Sequence, residues 1–328
     1  MKKRTIFTMA LLSLTFYCFG QSSAINQKNL NLLQKKIEAT HADGYMLIHN
    51  NKIISKWKNP GCDSTFMGTA SAVKSFTSIV IGMLIQDGKI KSVKDPVCRY
   101  IPEWKAGCEQ GVTIEHLLTM TAGLNKRTSP RPGPNQFILV AKDFNKFVLN
   151  MPLDTVPGSN WDYSNEGVQL LAPIIEKASG MSVVDYFDKK LFKPLGMDST
   201  SLYLDDIGNA STFGGCKTTM EDFSKIGQLM LNNGVWNGKR LLPADYVKAS
   251  VTSTPINELY GYLWWVYNNT NSYAAFGDYG QVCMVFPDLN LIFVRYQKCT
   301  NNNQDYNIWS WMNTDFRRMV RSVVEVKQ

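Results

Sequence analysis

Ser71-Ala72-Val73-Lys74-Ser75-Phe76-Thr77-Ser78-Ile79-Val80-Ile81-Gly82-Met83-Leu84-Ile85 is the most apolar helical stretch beyond the chain's first 24 residues. Its apolar residues, Val73, Phe76, Ile79, Val80, Met83, Leu84 and Ile85, cover most of a helix circumference, which predicts a central, buried helix. Asp87-Gly88 would end it, with the glycine in a left-handed cap. Two polar residues stand at its start. Ser71 and Lys74 are three apart, so on a helix they share a face with Cβ atoms ~5–6 Å from one another. A serine hydroxyl is a weak nucleophile until a base stands beside it. A lysine can be that base if burial or a neighbouring cation lowers its pKa. The helix start adds backbone N–H groups that stabilise an oxyanion.

A second Ser-x-x-Lys, Ser55-Lys56-Trp57-Lys58, lies in a stretch that reads as a strand. Residues three apart in a strand face opposite sides, so this pair cannot exchange a proton. Further along comes Pro157-Gly158-Ser159-Asn160-Trp161-Asp162-Tyr163-Ser164-Asn165, followed by the amphipathic run Val168 to Gly180. Tyr163 would supply a second proton carrier, either relaying a proton to the leaving group or acting as a phenolate base. Asn165 would position Lys74 and the substrate carbonyl. Tyr267-Asn268-Asn269 repeats the Tyr-x-Asn pattern without that lead-in.

On Ser71/Lys74 and Tyr163/Asn165 the chain resembles the serine β-lactamase-like superfamily of class C β-lactamases, D-Ala-D-Ala carboxypeptidases, esterases and 6-aminohexanoate-oligomer hydrolases. Val112 to Leu124, Leu191 to Met197 and Gly214 to Asp222 look like further segments of that family, so the resemblance covers nearly the whole chain after its first residues. It implies a serine hydrolase working through an acyl-enzyme. It also implies a third motif on the strand beside the serine, usually Lys or His, a small residue, then Gly. The best match is Ala275-Phe276-Gly277, followed by Asp278. Ala275, Phe276, Gly277 and Asp278 are therefore candidate substrate-binding residues, and the Ser71 and Asp278 backbone N–H groups would form the oxyanion hole. The cation is absent from this motif. Penicillins and D-Ala peptides carry a carboxylate beside the scissile bond, so uncharged esters or amides are the expected substrates. Arg131, in the Pro-rich loop Thr128 to Gln136, or Arg127 just ahead of it, could restore a cation. Glu166 does not match the family's deacylating glutamate and receives no role. The alternatives are a penicillin-type hydrolase or carboxypeptidase, or a non-catalytic sensor on the same fold.

The expected fold is α+β: an antiparallel sheet built from both termini, flanked by helices, with a mostly helical insert at roughly 90–200. Asn26 to Thr40 has the spacing of a first helix, and Gly44 to Trp57 that of a hairpin turning at Asn50-Asn51. Strand-like runs return at Leu263 to Tyr267, Tyr273 to Gly277, Val282 to Phe286 and Leu291 to Tyr296, and a helical pattern fills Ile308 to Val326.

Lys2, Lys3 and Arg4, the apolar stretch Thr5 to Gly20 and the small residues Ser22-Ser23-Ala24 form a secretory-signal pattern over residues 1–24, leaving 25–328 as one domain. The apolar stretch is shorter than the ~20 residues a spanning helix needs. No later stretch is long enough, so no stable membrane insertion is expected. A periplasmic or secreted protein follows. Cys62, Cys98, Cys108, Cys216, Cys283 and Cys299 remain, with Cys98–Cys108 the favoured disulfide because the pair is nearest in sequence. The net charge of +8 is scattered, which argues against a nucleic-acid partner. The three histidines, His41, His49 and His116, have no metal-ligand spacing and the chain has no Gly-x-Ser-x-Gly, so neither a metal, a cofactor nor a Ser-His-Asp triad is expected.

Overall fold

The computed structural model describes residues 23–125, 138–298 and 312–326. We label the principal strands β1 (Ser23–Ile25), β2 (Gly44–His49), β3 (Lys52–Lys58), β4 (Trp265–Tyr267), β5 (Ser272–Gly277), β6 (Gln281–Phe286), β7 (Leu291–Tyr296) and β8 (Val324–Val326). The helices used below are α1 (Gln27–Glu38), α2 (Val73–Gln86), α3 (Asn165–Gln169), α4 (Met220–Leu231) and α5 (Thr314–Arg321).

Six strands form one antiparallel sheet in the order β3-β2-β7-β6-β5-β4. Two come from the N-terminal part and four from the C-terminal part, as the sequence predicts for an α+β fold. Asn50 (φ 50) and Asn51 (φ 61) turn the β2–β3 hairpin in the left-handed region, which asparagine tolerates well. The sheet separates two apolar layers, because side chains alternate along each strand. Tyr273, Ala275, Cys283, Val285 and Ile292 face the larger layer, which contains α2. Ala274, Phe276, Val282, Met284 and Phe293 face the smaller one, built with α1 and α5.

The central helix forms as its pattern requires. Every residue from Val73 to Leu84 is buried, and Gly88 takes a left-handed φ of 68° just past its end. Lys74 is thus the exceptional residue, a cation in an apolar layer.

Several boundaries differ from the sequence expectation. The helical region between β3 and β4 continues past residue 200, because α4 packs on the sheet through Gly227, whose missing Cβ leaves room for Cys283 and Val285. β4 starts at Trp265 rather than Leu263, since Leu263 turns to φ 60 and donates its N–H to the Leu118 carbonyl at 3.0 Å. The C-terminal helix stops at Arg321, and Val324–Val326 pairs as a strand with Ser23–Ile25. Ser23 and Ala24, inside the expected signal segment, belong to that pair. The Pro-rich loop from Thr128 to Gln136, with Arg131, lies outside the described residues, as do Arg127, Cys299 and residues 308–311. Cys98 and Cys108 lie 4.9 Å apart at Cα, within disulfide reach, while Cys216 and Cys283 are buried free thiols.

Candidate active site

Ser71 sits in a single tight turn, Ala70–Ala72, that leads into α2. Ala70 adopts φ 46, so the chain bends sharply just before the serine. Lys74 follows one turn on and is 1% exposed. Its Nζ lies 3.1 Å from Ser71 Oγ and 2.7 Å from Asn165 Oδ1, and it donates to the Phe213 carbonyl. Asn165 begins α3, whose Ser164 N-cap accepts from the Gly167 N–H at 3.0 Å. That cap places Tyr163 just ahead of the helix, where its hydroxyl is hydrogen-bonded to the Ser71 hydroxyl. The Tyr163 ring also lies under Lys74, with Nζ 4.9 Å from its centroid.

Electrostatics separates the two proton carriers. Burial pushes the Lys74 amine from 10.5 down to about 7, against the opposing charges of Asp278 and Glu166. Burial raises the Tyr163 phenol well above 10.0. Near neutral pH a large fraction of Lys74 is therefore neutral while Tyr163 keeps its proton. A neutral amine has two N–H groups and one lone pair. The Asn165 and Phe213 oxygens can only accept, so they take the N–H groups and leave the lone pair facing Ser71. The arrangement can draw a proton from Ser71 and hold another on Tyr163.

β5 brings the third segment to the same place. An added Cβ on Gly277 would sit 2.3 Å from the Thr69 carbonyl oxygen and 2.9 Å from the Ser71 nitrogen, so glycine is required for the strand to lie against the serine turn. Ala275 faces α2 but is fully buried and presents only a methyl group. Phe276 departs from the expectation. Strand alternation turns it to the far face, into the layer with α1 and α5, where its ring meets Trp265 at 6.4 Å. Asp278 opens the turn after β5 and is exposed at the mouth.

Sequence reading missed three features. One is the Phe213 carbonyl, a backbone group that no side-chain pattern announces. Another is Glu166, which is 2% exposed and accepts from the Ser164 hydroxyl at 3.2 Å, with its charge acting on Lys74. The third is an aromatic wall. Trp265 stacks on Tyr163 at 6.2 Å, and Tyr260 meets Trp265 at 5.0 Å and Trp161 at 5.7 Å. Trp161 Nε1 is buried there without a hydrogen-bond partner. The run Tyr260-Gly261-Tyr262-Leu263-Trp264-Trp265, with four aromatic residues in six positions, was the available signal. Among the described residues no group of His, Cys, Asp and Glu could hold a metal ion.

The beta-lactamase family model matches residues 33–311, so the chain belongs to the beta-lactamase family. Penicillin-binding protein 4* of Bacillus subtilis is 37% identical over 150 residues, covering 44% of this chain and 32% of that protein. The chain thus matches only about a third of that relative's length. The 6-aminohexanoate-dimer hydrolase of Paenarthrobacter ureafaciens is 22% identical over 302 residues, covering 80% of this chain and 74% of that one. Among solved structures, the octameric penicillin-binding protein homologue from Pyrococcus abyssi superposes with a TM-score of 0.64 at 21% identity, over 83% of this chain and 73% of that one. It carries the same β-lactamase/transpeptidase-like fold. At the family level the chain is a β-lactamase-related hydrolase.

Proposed function

We propose that the protein is a serine hydrolase that forms an acyl-enzyme on Ser71, with Lys74 as base and Tyr163 as proton donor. The observation that carries this is the Ser71 hydroxyl held between the buried Lys74 amine and the Tyr163 hydroxyl. Ser71 Oγ attacks the substrate carbonyl carbon while its proton passes to the Lys74 lone pair. The Ser71 N–H, and that of Asp278 beside it, stabilise the oxyanion. The carbon–leaving-group bond then breaks, the leaving group takes the Tyr163 proton, and Lys74 restores it. In the second half a water gives its proton to Lys74 and its oxygen to the acyl carbon. The Ser71 Oγ–carbon bond breaks, and the proton returns to Oγ.

The relatives' names span penicillin binding and hydrolysis of a 6-aminohexanoate dimer, so the substrate class rests on β5. A charge-assisted hydrogen bond to a substrate carboxylate contributes ~1.5–3 kcal/mol. Ala275 has no donor to make one, and Asp278 repels a carboxylate. Uncharged esters or amides are favoured over penicillins. The test is intact-mass spectrometry after exposure to fluorophosphonate, benzylpenicillin and activated-ester probes. A Ser71 adduct that forms and decays with the ester, and turns over poorly with penicillin, supports the reading. Efficient penicillin turnover overturns the substrate class, and labelling away from Ser71 overturns the mechanism.

The signal-like first residues and the Cys98–Cys108 pair support a periplasmic or secreted location. Cleavage ahead of Ser23 would keep β1 whole. Thiol alkylation without reductant, followed by peptide mapping, checks the bridge. Modification of both Cys98 and Cys108 counts against export.

A further inference from the structure

Asp278 follows Gly277, whose Cβ position lies 2.9 Å from the Ser71 nitrogen, and its charge acts on the buried Lys74 amine, which sets the carboxylate near the reacting centre. It is exposed, and no salt bridge among the described residues involves it. The turn that carries it is fixed from below. Arg295 is fully buried and donates from Nη1 to the Tyr279 and Gly280 carbonyls at 3.0 and 2.9 Å. Its Nη2 donates to the Thr40 carbonyl at 2.6 Å. Tyr279 is held at φ 63, a conformation that a bulky residue keeps only when its surroundings impose it. The guanidinium thus serves the turn's carbonyls, with the Thr40 hydroxyl and Gln297 Oε1 also accepting from it at 3.3 and 3.5 Å, and makes no salt bridge with Asp278.

The Tyr163 side of the serine is aromatic. Trp161, Tyr163, Tyr260 and Trp265 form one connected ring cluster, with Tyr163 next to Ser71 and Trp265 paired to β5. Ring faces carry negative potential and attract cations within ~6 Å of their centroids. A carboxylate in no salt bridge among the described residues and a cluster of aromatic rings, both near one nucleophile, make an edge that favours positive charge.

We propose that the site selects substrates carrying an ammonium or quaternary ammonium group close to the scissile bond, bound between Asp278 and the half-buried rings of Trp161, Tyr163 and Trp265, with the buried Tyr260 packed behind them. This rests on the hydrolase reading above and refines its substrate class. It orders substrates as cationic over neutral over anionic, where Ala275 alone separates only neutral from anionic.

The test compares three p-nitrophenyl esters with acyl chains of equal length, ending in trimethylammonium, tert-butyl or sulfonate. The first two are isosteric and differ only in charge. The parent enzyme is expected to favour the trimethylammonium ester over the tert-butyl ester by about fivefold in kcat/KM, as for an exposed ion pair joined by a cation–π contact. The sulfonate ester should be the poorest. In Asp278→Asn the ratio of trimethylammonium to tert-butyl should fall to about twofold, the share left to the cation–π contact. Both esters use the same nucleophile and base, so the ratio cancels any change at Lys74. If Asp278 served only to tune Lys74, both rates would move together and the ratio would survive the substitution. A parent ratio of one or less, or a ratio unchanged in Asp278→Asn, overturns the inference while leaving the hydrolase reading intact. Absence of turnover and of a Ser71 adduct with all three esters overturns both.

Discussion

The chain contains the same four-residue pattern twice, and the two copies have opposite fates. Ser55 and Lys58 lie in β3, where the Ser55 hydroxyl bonds the Tyr45 hydroxyl at 2.7 Å and Lys58 Nζ donates to the Asp63 carbonyl at 3.3 Å. Neither touches the other. Ser71 and Lys74 lie on a helical turn, 3.1 Å apart, with the lysine sealed inside. The serine and the lysine are the same in both copies, so what separates them is periodicity and burial. A period near 3.6 brings positions three apart together, and a period of two separates them. Burial then converts a cation into a base at Lys74.

The nucleophile should show the greatest loss. Ser71→Ala should abolish fluorophosphonate labelling and lower ester hydrolysis by ~10⁴-fold or more, the scale of losing a nucleophile. Ser55→Ala should leave the rate within about twofold, as expected for a distant surface hydroxyl. Parent-level hydrolysis of p-nitrophenyl esters by Ser71→Ala would mean that the helical copy is no more catalytic than the strand copy.

The proton carriers come next. Lys74→Ala and Tyr163→Phe should each lower kcat by ~10²–10⁴-fold, the usual range for losing acid–base help. The double variant should be little worse than the worse single one, because both act on the one Ser71 hydroxyl. Fully multiplicative losses would indicate separate roles. Lys58→Ala should match the parent.

A smaller effect is the pH profile. Lys74 must be neutral to accept a proton, so kcat/KM should rise with pH and level off above an inflection near its pKa of about 7. Below it the slope should be about tenfold per pH unit, as for one essential deprotonation. Asp278 raises the Lys74 pKa, so Asp278→Asn should move the inflection to lower pH. Lys58→Ala should not move it. A rate that falls with rising pH through this range would make the charged lysine the active form and shift the base to Tyr163.

The same contrast explains which parts of the site were legible in the sequence. Ser71, Lys74, Tyr163 and Asn165 could be read because each sits in a local frame, a helix start or an N-cap, that fixes its direction. Phe276 could not be placed correctly without the sheet. Its neighbours Ala275 and Gly277 face α2, and alternation then sends Phe276 to the other layer. The Phe213 carbonyl carries no side-chain signature, and Tyr260 and Trp265 reach Tyr163 across about a hundred residues of chain. Likewise β8 looked helical because its partner, β1, lies at the other end of the sequence. Sheet placement depends on distant pairing, whereas helix faces are set within a few residues.

In stability the two serines should exchange roles. Ser55 belongs to a structural hydrogen bond, and its removal should destabilise the fold by ~0.5–1.5 kcal/mol, the net worth of one such bond. The lower end is favoured because the Tyr45 hydroxyl keeps a second partner, donating to Gln34 Oε1 at 3.1 Å. Ser71 is different. Its hydroxyl serves Lys74 and Tyr163, and Lys74 retains Asn165 and the Phe213 carbonyl when the serine is gone. Residues held for chemistry rather than packing can be truncated without loss of stability. Ser71→Ala should therefore shift the unfolding free energy by no more than ~0.5 kcal/mol, the spread of neutral substitutions. Urea denaturation of the parent, Ser55→Ala and Ser71→Ala measures both. The strand serine should matter to stability and not to rate, and the helix serine to rate and not to stability. A Ser71→Ala loss larger than that of Ser55→Ala would make Ser71 a structural residue, and the two copies would then differ in geometry without dividing their roles.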